Sequence, residues 1–256
     1  MKHLFISLTI LSTCLASCKL ELPEENQNYD VKYLGNFDSE GKPGYLLAQP
    51  DTVSQALLAE IDANLPAGQP VPVHHPGFLD DKLITNVNLI GDADLWVTFV
   101  DEGASYRNAV GYYTYDMQSP PARIEDVGSF NIIFPNLSLV GSGGQLMAGD
   151  KVYLGHFTAG TSVGWFLVPD GWNKIAERVD MKPGIKFSDK ILNTFTDTQN
   201  CQHMTLLYDQ GFQKLILGIE DMSRPNGDQD FNDALFYVTA NPFEAIQHEW
   251  LATPRL

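Results

Sequence analysis

The chain has 256 residues, 44% of them hydrophobic, enough for one large domain or two small ones around an ordinary core. Its formal net charge of −16, from 32 acidic against 16 basic residues, repels phosphate backbones and excludes a nucleic-acid partner. Two of its three cysteines, Cys14 and Cys18, lie in the first 18 residues, so Cys201 is left alone and the rest of the chain has no disulfide framework.

The N-terminus opens with the basic Met1-Lys2-His3, runs apolar from Leu4 to Leu11, and closes on Leu15-Ala16-Ser17-Cys18. These are the three parts of a secretory signal. Small side chains at Ala16 and Ser17 ahead of a thiol predict a bacterial lipoprotein signal peptide over residues 1–17, with lipidation of Cys18; in the plain secretory alternative Cys18 is incidental. The apolar run is shorter than the roughly 20 residues a bilayer-spanning helix needs. Several acyl chains on one cysteine anchor a protein permanently, so the expected partner of this end is a membrane. Lys19 after the anchor fits passage to the outer membrane, which places the protein in the cell envelope. Removing residues 1–17 takes away one lysine and no acid, leaving −17. Residues 18–30, with Glu21, Glu24 and Glu25, read as anchor and solvated tether.

Residues 31–80 are expected to hold an N-terminal helix and a proline-rich linker. Val53, Leu57, Ile61 and Leu65 recur every four residues behind the capping candidates of Asp51-Thr52-Val53-Ser54, which predicts an amphipathic helix. Pro66, Pro70, Pro72 and Pro76 then punctuate an extended stretch that cannot continue a helix.

From residue 81 to 242 the chain changes character. Short runs rich in Val, Ile, Phe, Tyr and Trp alternate with Gly, Asn and Asp, predicting strands at 83–89, 94–100, 109–115, 130–134, 151–157, 162–168, 203–208, 213–219 and 234–239. Residues 170–200 read as a long excursion with a turn of helix, and residues 243–256 as a C-terminal tail. The expected fold is mostly β, an antiparallel β-sandwich or jelly-roll-like domain with one N-terminal helix.

The segment from Leu217 to Asp233 joins two of these strands and carries five carboxylates against one arginine. Concentrated acids at a turn repel one another, and calcium relieves this by taking six to eight oxygen ligands in flexible geometry. Asp228, Asp230 and Asn232 reproduce the D-x-D-x-N opening of a helical calcium loop. The match ends there: Asp233 stands where that loop has Gly, Thr239 where it has Glu, and no helices flank it. Solvated turn residues are the competing reading.

The words LGIEDMSRPNGDQDFNDALFYV (217–238), VTFVDEGASYRNAVGYYTYD (97–116), NIIFPNLSL (131–139) and GHFTAGTSVGWFLVPDGW (155–172) resemble the bacterial family known as domain of unknown function 4114, whose segments also occur in LruC-domain proteins. The resemblance spans most of residues 90–240. It implies a β-sandwich with a calcium site and no established enzyme activity. Carried over by motif, the implied metal ligands are Glu220, Asp221, Asp228, Asp230 and Asp233, with Asn232 a further candidate and Glu102 joining from the DEGASYRN turn. The stretch Met222-Ser223-Arg224-Pro225-Asn226 departs from the family spacing.

Catalytic signals are weak. Gly160-Thr161-Ser162-Val163-Gly164 fits the nucleophile elbow G-x-S-x-G, but the following Trp165-Phe166-Leu167-Val168 reads as strand where an elbow turns into helix. The histidines show no metal spacing, and Glu220 and Asp221, adjacent on a strand, point to opposite faces and make a poor acid/base couple. No catalytic residue is assigned. The expected function is a membrane-anchored, calcium-binding extracytoplasmic module whose partner is a glycan or an envelope protein; the alternative is a calcium-dependent extracellular polysaccharide hydrolase. Exposed aromatics would favour a glycan, with Tyr112, Tyr113, Tyr115, Trp165 and Trp172 as candidates and core packing as their competing role.

Overall fold

A computed structural model describes residues 29–193 and 201–254. The expected signal peptide, Cys18 and nearly all of the tether lie outside the described residues. Two mainly antiparallel sheets pack face to face. The first contains β1 (Val31–Tyr33), β2 (Val87–Asn88), β4 (Ala109–Asp116), β5 (Phe130–Phe134), β7 (Thr161–Val168) and β10 (Lys186–Phe187). Its strand order is β1-β5-β4-β7-β10, with β2 pairing β7, and only β1 with β5 runs parallel. The second contains β3 (Ala93–Asp101), β6 (Lys151–Phe157), β11 (Met204–Asp209), β12 (Lys214–Ile219) and β13 (Ala234–Asn241), in the order β11-β12-β13-β3-β6. A small hairpin, β8 (Trp172–Asn173) with β9 (Arg178–Val179), stands apart.

Period-two alternation assigns the faces. Leu95, Val97 and Phe99 of β3, Leu215, Leu217 and Ile219 of β12, and Phe236 and Val238 of β13 meet Val163, Trp165 and Leu167 of β7 in the core between the sheets. Most intervening residues are buried too, because the outer faces are largely covered; Asp94 and Trp96 of β3 are half-buried. Ile216, Leu235 and Tyr237 pack under a helical layer, and Tyr113, Phe166 and Val168 under the 172–192 excursion. Such burial goes with strand runs that are apolar on both faces, as in β3, which lies between β13 and β6. The aromatic candidates belong to these cores: Tyr113 and Trp165 are fully buried, Tyr112 and Trp172 nearly so, and Tyr115 packs against the outer cluster. They do not form an exposed stripe.

The helical layer starts with α1 (Gln55–Asn64), capped by Ser54, whose side chain accepts the N–H of Leu57. Leu57, Ile61 and Leu65 are the buried stripe predicted from their spacing. The proline-rich stretch is more ordered than expected, with α2 (Val71–His74) and a 3₁₀ turn at Pro76–Leu79. Each carries a proline in its first turn, Pro72 and Pro76, where a missing N–H costs no intrahelical bond. The excursion holds β8, β9, β10 and a 3₁₀ turn at Lys190–Leu192. Residues 243–252 pack back on the sheets: Leu251 and Ala252 are buried, and Tyr208 donates its N–H to the carbonyl of Ala252 at 2.7 Å. Ser162 continues β7 and donates to Asn88 Oδ1 at 2.7 Å, so G-x-S-x-G lies within a strand pairing and not at a strand-to-helix turn.

Candidate metal centre

Residues 220–233 connect β12 to β13 at one end of the sandwich. Phe231 is fully buried beneath the loop among Leu65, Val71 and Ile216, with the Arg224 guanidinium 5.4 Å from its ring centre. That plug fixes the loop from below. The 66–71 connection fixes it from one side: Val71 donates its N–H to the carbonyl of Gln229 at 2.8 Å, and Gly68 donates to Asp230 Oδ2 at 2.7 Å. Asn108, just before β4, fixes it from the other, donating from Nδ2 to Asp221 Oδ2 at 2.7 Å while its Oδ1 accepts the N–H of Asp170 at 2.9 Å. Within the loop, Asp221 N–H donates to Asp233 Oδ2 at 2.8 Å and Asn232 N–H to Asp230 Oδ1 at 3.1 Å.

The result is two carboxylate clusters with a member in common. Glu220, Asp228 and Asp230 form one; Glu220, Asp221 and Asp233 form the other; in each, ligand oxygens lie within 4.8 Å of one another. Glu220 is fully buried, and neither of its carboxylate oxygens has a hydrogen-bond partner. Asp221 and Asp230 are nearly as buried, Asp233 is half-buried and Asp228 is exposed.

Burial without compensation raises carboxyl pKa values. Glu220 is pushed up to about 8 by burial first, then by Asp233, Asp228, Asp221 and Asp230. Asp233 rises to about 7, again by burial and then by Asp221, and burial also raises Asp221 and Asp230. The ammonium of Lys186 opposes this at Asp221 and Glu220; its own pKa is lowered by burial, and it donates to Ser223 Oγ at 2.8 Å. His203, buried behind the loop, is pushed down to about 3 by burial and then by Lys186, so it stays neutral.

Five of the seven candidate ligands are therefore brought together: Glu220, Asp221, Asp228, Asp230 and Asp233. Asn232 is held in the loop, its carbonyl accepting the N–H of Gly103 at 3.2 Å and its amide oxygen lying against Gly103. Glu102 turns elsewhere. Its Oε1 meets the N–H of Leu139 at 3.4 Å and Ser142 Oγ at 3.3 Å, and it joins neither cluster. Three supporting residues are not singled out by the sequence. Asn108 and Gly68 reach the loop across more than a hundred residues, and Gly227 is a glycine because a Cβ there would collide with Glu220 Oε1.

An all-oxygen, carboxylate-rich set suits calcium over zinc, and two orphaned oxygens on a buried Glu220 fit a cation. A shallow groove of about 500 Å³ opens beside the loop between residues 169–170, 182–186 and 221–226. Tyr106 and Met222, both exposed, stand along it, and Asp221 lines both groove and cluster.

The family described as Domain of unknown function (DUF4114) matches residues 157–241, about a third of the chain, from the end of β6 through β13 and including the whole acidic loop. No curated protein and no solved structure matches the chain. The match supports the resemblance to the DUF4114 family, a domain of unknown function, that the acidic loop and its flanking strands carry in the sequence.

Proposed function

We propose that this chain is a membrane-anchored, calcium-binding β-sandwich acting as an interaction module of the bacterial cell envelope. The observation that carries the calcium part is Glu220: a fully buried carboxylate, both oxygens unpartnered, with four aspartates around it. Such a group is costly to bury and is stabilised either by a proton or by a cation. Calcium supplies the charge and accepts the irregular oxygen set that a turn of this kind offers. Anchoring rests on the N-terminal sequence, with Cys18 as the acylated residue. The interaction part rests on the groove beside the loop, whose exposed Tyr106 and Met222 give a partner apolar surface next to charge.

The experiment is a thermal melt of the full chain in calcium, in magnesium and in chelator, repeated on Asp230→Ala. Binding to the native state raises the midpoint by mass action. A rise specific to calcium that disappears in the variant supports the reading; coincident melts in all three solutions sink it.

A further inference from the structure

We propose that the acidic loop takes two divalent cations, one on each side of Glu220, which bridges them. This rests on the calcium reading above and adds stoichiometry and division of labour to it. Three observations carry it. First, the carboxylates do not form one ring: they fall into two overlapping clusters, Asp228 with Asp230 and Asp221 with Asp233, and the member common to both is Glu220. Second, Glu220 has two oxygens, both buried and neither hydrogen-bonded, so it has one oxygen available for each side. Third, charge counts against a single ion. Five carboxylates with the ammonium of Lys186 alongside leave four negative charges, which two divalent cations match and one leaves half unbalanced.

The existing hydrogen bonds leave room for this. Asp230 accepts from Gly68 and Asn232, Asp221 from Asn108, and Asp233 from the N–H of Asp221. A carboxylate offers about four lone-pair sites, so each retains acceptor capacity for a cation. The two positions also have different anchors. The Asp228–Asp230 side is tied to the connection between α1 and α2 through Gly68, the Asp221–Asp233 side to the start of β4 through Asn108. One ion would order the loop against the helical layer, the other against the opposite sheet.

The test is to count ions by native mass spectrometry and calcium titration calorimetry on the full chain in detergent, after chelator treatment. Asp228→Asn and Asp233→Asn each touch one side only and keep an oxygen acceptor in place. The expected result is two calcium ions on the unaltered chain and one on each variant, with Glu220→Gln weakening both by tenfold or more. A single ion on the unaltered chain, or loss of all binding in Asp228→Asn alone, overturns the two-ion proposal and leaves the calcium reading standing. No ion at all overturns both.

Discussion

The carboxylate of Asp230 accepts the backbone N–H of Gly68 at 2.7 Å, joining residues 162 positions apart in sequence. With Asn232 as its second donor, Asp230 holds the acidic loop both to itself and to the helical layer. Hydrogen bonds to a charged acceptor contribute about 1.5–3 kcal/mol each. In chelator, Asp230→Ala should therefore lose about 2 kcal/mol in denaturant unfolding, whereas Asp230→Asn, which keeps an acceptor and removes a charge, should lose less than half of that. Equal losses in the two variants would mean that the bond to Gly68 does not stabilise the loop.

Metal-free protein should become less stable as pH rises. Glu220 at about 8 and Asp233 at about 7 bind protons more tightly folded than unfolded, where carboxyls titrate near 4–4.5. A raised carboxyl contributes stability in full below the unfolded value and loses it as pH climbs through the folded one. Melting temperature in chelator should thus fall between about pH 5 and 8, and calcium should flatten or reverse the slope by replacing the protons. A rising midpoint in chelator over that range would contradict the crowding of these carboxylates.

Gly227→Ala leaves all five carboxylates in place but puts a methyl against Glu220 Oε1. Forcing one methyl into a packed site costs about 1–3 kcal/mol. Calorimetry should show calcium affinity reduced about tenfold or more; unchanged affinity would show that the position of Glu220 does not govern binding.

The helical layer should be held mainly by the packing of its buried face and only secondarily by its cap. Ile61 is 1% exposed, and Ile61→Ala should cost about 2–4 kcal/mol through lost burial and a cavity. Ser54→Ala removes the cap on Leu57 N–H and should cost about 1 kcal/mol. Urea unfolding reads both, and comparable losses would mean that capping rather than packing holds α1 in place.

The sequence made the long strands and α1 legible because each carries its own periodicity. Leu57, Ile61 and Leu65 mark one helical face, and β3, β4, β7, β12 and β13 lie within two residues of the boundaries predicted from apolar runs. Strands of two or three residues, such as β1, β8, β9 and β10, carry no period to read; they exist because a neighbour supplies the ladder, as β5 does for β1. The acidic loop was legible from its composition, whereas its division into two clusters was not. That division depends on which way each side chain turns, and therefore on Gly68, Asn108 and Gly227. The same limit applies to Glu102, whose turn sequence gave no sign that its carboxylate meets Leu139 and Ser142.

Asn108 links the acidic loop to the turn at Asp170. It is buried, and its amide ties Asp221 on one side and Asp170 on the other, while its backbone carbonyl accepts the N–H of Leu137. Asp170 and Asp221 are two walls of the groove. One planar amide thus sets the spacing between those walls, in the manner of a spacer bar. On the proposed interaction role, an incoming partner would meet an opening already cut to width and lose little conformational freedom in filling it, so its selection would rest on shape before any loop had to move.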